Sequence, residues 1–235
     1  MMNITGEQLL EVFANYNSQI WPMQILAYML GIIALFLVFQ KYKWSIRVIS
    51  SILAFFWIWV ALIFWLPSGL QGFSMAYAFI FLFMIEGVLI LIQALRPGFS
   101  FGSTSKTHTI IGLVMVSYAM VGYPLFGLLI GRDLPQTPPF ALTPCPLVLF
   151  TLGMFLLTES KVPLSLILTP FIYGLTGVIW VSIGIWEDTG LVLGSLAFGY
   201  LVFKRYWGAK NHKSETKSKN NLSAWSLDIS EKKQK

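Results

Sequence analysis

The chain reads as long apolar runs divided by short polar, charged or Pro/Gly-rich breaks, not as the periodic apolar stripe of a soluble helical domain. A bilayer-spanning helix needs about 20 mostly apolar residues. That length fits seven segments: Ile20–Phe39, Val48–Leu66, Phe73–Leu95, Thr109–Ile130, Pro144–Thr158, Val162–Trp186 and Thr189–Phe203. The breaks KYKWSIR, PSGLQ, RPGFSFGSTSKTH, GRDLPQTPPFALTPCP, ESKV and WEDTG hold the turn formers and most of the charge. The fifth and seventh segments, about 15 residues each, require a thinned bilayer or burial among neighbours. The pattern therefore predicts an all-α, polytopic integral membrane protein with seven transmembrane helices over residues 20–207.

The two ends read differently. Residues 1–19 predict an outer-face amphipathic N-terminal segment, its helix over Thr5–Asn15: Thr5 and Gln8 form a T-x-x-Q capping box, and Leu9, Leu10, Phe13 and, just past its end, Tyr16 share one face. Such a helix lies on a membrane surface before the chain turns inward at Trp21-Pro22. Residues 208–235 are rich in Lys, Ser and Asn and predict a disordered basic tail. Within it, Leu222–Ile229 is either a plain linker or a surface contact through Trp225.

Charge orients the map. With the N-terminus outside, the inside segments hold Lys41, Lys43, Arg47, Arg96, Lys106, Lys161, Lys204, Arg205 and the Lys-rich tail, and the outside segments hold only Arg132. Glu7, Glu11, Asp133, Glu187 and Asp188 fall outside. Basic residues mark cytoplasmic loops, so the expected topology is N-out, C-in. Only 11% of the 235 residues are charged and 56% are hydrophobic, about half the charged fraction of a soluble domain. The net charge of +6 follows from topology and an anionic inner leaflet; the expected partner is the lipid bilayer, not nucleic acid. A single cysteine, Cys145, excludes an internal disulfide framework. The start MMNITGEQ has no basic region, so the first span is expected to persist in the mature protein.

Three stretches carry a resemblance: FANYNSQIWPMQ (Phe13 to Gln24), the run from Tyr123-Pro124 through TPCPLVLFTLG (Thr143 to Gly153), and WEDTGL (Trp186 to Leu191). Together they resemble an uncharacterised family of bacterial polytopic membrane proteins, domain of unknown function family 6064. The resemblance implies a multi-pass protein of the bacterial inner membrane and supplies no activity. In that family a histidine often follows the glycine closing the fourth span; here Arg132 and Asp133 follow Gly131.

Candidate chemistry is sparse. Glu86 sits within FMIEGVLILI with apolar neighbours on both sides. An acid at a helix centre costs about 2.5–3.5 kcal/mol on insertion scales, so it must face the bundle or water. None of the seven spans contains Lys, Arg or His, which favours the uncharged acid at pH 7. Counting depth along the helices places Tyr118 and Tyr173 or Thr176 at its level as hydrogen-bond partners. Glu86 is then either a proton-exchanging group or a neutral interhelical hydrogen-bond link.

A second group gathers outside: Asn15, Tyr16, Asn17, Arg132, Asp133, Glu187 and Asp188. It is readable as a vestibule lined by Tyr16, Asn17, Arg132 and Glu187, or as charges that pin loops and suit the start of the seventh helix. Pro144-Cys145-Pro146 sets the entry of the fifth span, where two prolines fit a first helical turn. One thiol without a second Cys or a His on its face is a poor metal set, even with Met23, Met120 and Met154 in the chain. Gly127-x-x-x-Gly131, Gly190-x-x-x-Gly194 and Ser195-x-x-x-Gly199 predict close helix packing. No phosphate loop, zinc motif or Ser-His-Asp pattern occurs, so no catalytic residue, metal or cofactor is expected. The functional expectation is a membrane protein that binds or passes a small solute, ion or proton, aided by Pro-interrupted helix ends at Pro124, Pro144 and Pro170. The alternatives are a non-catalytic scaffold or sensor working through its tail and, third, an enzyme on lipid-linked substrates.

Overall fold

Away from water a backbone must satisfy its N–H and C=O groups internally, so apolar runs of this kind fold as helices. The computed structural model describes residues 6–40, 42–70, 72–96, 99–102 and 105–206, and among them every regular element is helical. One isolated bridge joins Phe101 to Thr158. The predicted tail, Thr5 of the capping box and Lys41 lie outside the described residues.

The chain divides into two units, Met1–Phe198 and Gly199–Lys235. In the first, α1 is Gly6–Gln19 and α2 is Met23–Val38. Helix α3, Ser45–Trp59, passes through a π-helical turn at Val60–Trp65 into α4, Leu66–Leu70. Then come α5, Met75–Ala94, and α6, Lys106–Ser117, the latter continuing through a second π-helical turn, Tyr118–Gly122, into α7, Tyr123–Leu129. Helices α8 (Pro144–Leu156), α9 (Leu164–Leu175), α10 (Gly177–Ser182) and α11 (188–198) complete this unit. In the second unit, residues 199–206 are helical.

Four stretches are long and apolar enough to cross a bilayer: Ser45–Leu70, Met75–Ala94, Lys106–Leu129 and Leu164–Ser182. A fifth is reached if α1 and α2, bent 87° to each other, count as one. The N-terminal helix is longer than the predicted Thr5–Asn15, because it runs on to Gln19 before the break at Ile20–Pro22. Phe13 and Tyr16 form its buried stripe. The flanks of α2 and α5 are open: Met29, Ile32 and Phe36 on one, and Phe81, Leu82 and Val88 on the other, are exposed. Such continuous apolar surface suits lipid and not water.

Helix α8 is the opposite case. With 13 residues it is about 20 Å long, less than a bilayer core, and every residue but Cys145 is buried. Its neighbours include α3, α6 and α9. A helix apolar all round belongs inside other helices. Between membrane helices the hydrophobic effect contributes little, and close packing and hydrogen bonds hold them together. Gly112 on α6 and Gly153 on α8 supply the packing: a Cβ on either would lie 2.9 Å from the other's carbonyl oxygen. Trp57 on α3 supplies the hydrogen bond, its Nε1 donating to Thr151 Oγ1 at 3.0 Å.

The loop feeding α8 is also buried, from Thr137 through Thr143. Its Phe140 ring fills the space left by Gly31 on α2, where a Cβ would come within 2.5 Å of it, and it meets Tyr28, Phe56 and Phe150. Ala141 adopts φ 57°, a left-handed conformation uncommon for a residue with a Cβ. Side chains cover the loop carbonyls: Thr143 Oγ1 donates to Pro139 O at 2.9 Å and the Tyr16 hydroxyl to Leu142 O at 2.7 Å.

Candidate functional site

Glu86 lies on the buried stripe of α5 with Ala76, Phe83, Gly87, Ile90 and Gln93, positions that recur on one face of a helix. Gly87 lets α5 approach α3, since a Cβ there would reach Ile58 at 2.9 Å and Ala54 O at 3.3 Å. One turn earlier, Phe83 lies tilted against Trp57 of α3 (centroids 4.5 Å) and meets the Tyr173 ring of α9 edge-on (5.2 Å). The carboxyl is fully buried, and neither oxygen has a hydrogen-bond partner. Thr169 on α9 is the nearby hydroxyl, but it forms no bond of ordinary geometry with the acid.

The partners expected for Glu86 are engaged elsewhere. The Tyr118 hydroxyl donates to Glu187 O at 3.0 Å, and Thr176 Oγ1 donates to Tyr173 O at 2.6 Å. Tyr173 approaches Cys145 and Trp180 through its hydroxyl and offers the α5 stripe only its ring. Depth counting fixes height along a helix and not the direction a side chain points; here the directions diverge.

The second group assembles at the end of the bundle that carries α1. Helices α7 and α10 both close in Schellman caps. Arg132 N–H bonds Gly127 O and Gly131 N–H bonds Leu128 O; Ile185 N–H bonds Trp180 O and Gly184 N–H bonds Val181 O. Gly131 (φ 83°) and Gly184 (φ 101°) take the left-handed positions that such caps require. Gly131 has nothing within 4 Å of a would-be Cβ, so it serves conformation and not the small-residue packing expected of it. Three of the other predicted glycines pack: Gly127 against Thr137, Gly190 against the Tyr118 ring and Gly194 against Leu149.

The α7 cap aims Arg132 at α10. Its Nη1 sits 2.5 and 2.6 Å from the two Glu187 carboxylate oxygens, and its Nη2 donates to Gly184 O. The guanidinium thus meets the negative end of α10 as well as a carboxylate. The pair is nearly dry, with side chains 11% and 0% exposed. Asp188 is fully buried beside it and opens α11. Tyr123, which the sequence reading did not single out, donates to Asp188 Oδ1 at 3.0 Å. The Cys145 thiol adjoins the same carboxyl, yet Oδ2 lacks a partner of ordinary geometry.

The remaining members pin α1 to the loops. Asn17 Nδ2 donates to Pro135 O (2.7 Å) and Thr137 O (3.0 Å), and Gln24 Nε2 donates to Asn17 O at 2.8 Å. Trp59 Nε1 donates to the Tyr16 hydroxyl at 2.9 Å. Asn15 is exposed, and Asp133 is exposed beside Gln136. Of the expected vestibule lining, Tyr16 and Asn17 bond loop carbonyls, and Arg132 and Glu187 bond each other. Pro144 and Pro146 are buried in the first turn of α8. Among the described residues, no three His, Cys, Asp or Glu side chains converge as a metal set.

Burial is the main cause that raises the Asp188 carboxyl to about 7, one residue before the predicted seventh span, against the lowering effect of Cys145 and Tyr123. A carboxyl raised above its unfolded value destabilises the fold when it ionises. Stability therefore falls as pH rises from about 4 through about 7. Asp188→Asn keeps an acceptor for Tyr123 and removes this loss. The melting midpoint of the variant should come closest to wild type below pH 4 and exceed it by a growing margin up to pH 8. A difference independent of pH would show that the Asp188 charge is not the cause.

No curated protein and no solved structure matches the chain. Residues 6–213 match the profile of the family of unknown function DUF6064, and the chain, matched over most of its length, belongs to that family.

Proposed function

We propose that this is a seven-crossing protein of the bacterial inner membrane, N-terminus out and C-terminus in, that exchanges a proton at Glu86 while binding or passing a small solute or ion. The observation that carries this reading is the carboxyl itself. It is fully buried in an apolar helix interface and both oxygens lack partners. A hydrogen-bond link between helices would need a donor or acceptor in place, and none is bound. A buried acid is costly, and the one nearby hydroxyl, Thr169, makes no bond of ordinary geometry to offset that cost. Its neutral form can release a proton once water reaches it.

The test is proton flux in liposomes carrying a pH-sensitive dye, comparing wild type with Glu86→Gln. Flux in wild type that falls at least tenfold in the variant supports the reading. Equal or negligible flux in both removes it. Reporter fusions at Met1 and Lys235 test the crossings, because termini on the same side are incompatible with seven.

The scaffold or sensor alternative draws on a different observation: the polar groups at the Arg132 end are bonded to one another and to loops, as in a static bundle. It predicts loss of phenotype on deletion of Gly208–Lys235 with Glu86→Gln silent.

A further inference from the structure

An open groove of about 370 Å³ runs between α2 and α3, lined by Leu30, Arg47, Val48, Ser51, Ile52 and Phe55. The α3 contributors are spaced for it: Arg47, Ser51 and Phe55 follow at i, i+4 and i+8, with Val48 and Ile52 beside them, so they form one stripe. Along that stripe, Arg47 and Phe55 are about 12 Å apart at 1.5 Å per residue. The groove is therefore apolar for about the upper half of an acyl chain and cationic at one end.

Arg47 is exposed, and among the described residues no acid lies within salt-bridge distance of it. It sits in the first turn of α3, where the helix dipole adds positive potential. Just before that turn, Tyr42 and Trp44 stack with centroids 5.2 Å apart and lie half exposed, the placement of aromatic side chains at a membrane–water interface. Unpaired cation, interfacial aromatics and apolar trough succeed one another in the order of a phospholipid's phosphate, glycerol and chain.

We propose that the groove is a binding site for one anionic phospholipid, its phosphate on Arg47 and an acyl chain along Ser51, Ile52 and Phe55 against Leu30. Charge complementarity selects the headgroup: a zwitterionic lipid offers the same phosphate but places a second cation beside Arg47. Basic sites between helices near the cytoplasmic surface are suited to such headgroups.

The test uses the full chain in detergent micelles with phosphatidylglycerol, phosphatidylcholine of identical chains, or glycerol 3-phosphate without chains. The readouts are lipid retained in native mass spectrometry and the melting midpoint. Phosphatidylglycerol should be retained about fivefold better than phosphatidylcholine, the effect of about one near-surface cation. Arg47→Ala should abolish that preference, Arg47→Lys should keep part of it, and Ser51→Phe, which fills the trough, should reduce retention of both lipids. Arg96→Ala, which removes an exposed cation elsewhere, should leave the preference intact. Equal retention of the two lipids, an equal midpoint shift with glycerol 3-phosphate, or an equal loss in Arg96→Ala would each overturn the assignment.

Discussion

Arg132→Ala should destabilise the bundle by about 3–5 kcal/mol, the cost of leaving a buried charge without its partner. Glu187 is fully buried and its two carboxylate oxygens share Nη1 of Arg132. Removing the guanidinium also strips the donor from Gly184 O at the end of α10. The same reasoning predicts rescue. Arg132→Ala combined with Glu187→Gln neutralises the stranded acid and should recover more than half of the lost stability. Melting midpoints and denaturant profiles of the two single variants and the double variant measure the coupling. If Arg132→Ala stays within about 1 kcal/mol of wild type, the range of exposed pairs, or if the second substitution rescues nothing, the pair is not the fastener described here.

Gly153→Leu should have the other large effect, about 3 kcal/mol or more, at the upper end for overpacked cores. A Cβ at residue 153 already meets Gly112 O at 2.9 Å, Val116 Cγ2 at 2.9 Å and Met115 Cβ at 3.1 Å. Backbone cannot rotate aside as a side chain can, so α6 and α8 would have to separate. That separation would in turn strain the Trp57–Thr151 hydrogen bond on the far side of α8. Purified protein should show a lower melting midpoint and faster exchange of α8 amides. Gly131→Ala is the control, with open space around it and only the left-handed backbone to resist it; its cost should stay near 1 kcal/mol. Equal effects at the two glycines would argue against the close helix crossing.

Much of this architecture is legible in the chain because apolar runs of about 20 residues have few alternatives to a helix. The predicted segments Val48–Leu66, Phe73–Leu95, Thr109–Ile130 and Val162–Trp186 differ from the long apolar helices mainly at their ends. Charge narrows the Arg132 pairing, since it is the one cation set among the acids of the outside segments, and geometry selects Glu187 over the neighbouring Asp133 and Asp188. What the sequence does not carry is azimuth. Tyr118, Tyr173 and Thr176 stand at suitable depth for Glu86 but point toward residues 187, 145 and the local backbone. The Gly112–Gly153 contact was equally hidden, because a small-residue motif is read along one helix and this contact takes one glycine from each of two. The buried loop 137–143 reads as an ordinary Pro-rich break; its burial depends on Gly31 and Tyr16, more than a hundred residues away in the chain.

The enclosure of α8 sets where this family has room to vary. On α2 and α5 the outward side chains need only be oily, and one branched residue can replace another with little consequence for fit. From Pro144 to Leu156 each side chain borders protein on every side except at Cys145, so a change of even one methylene must be matched by a change in a neighbour. Drift among relatives should therefore be free on the outer helices and correlated, pair by pair, around the central one.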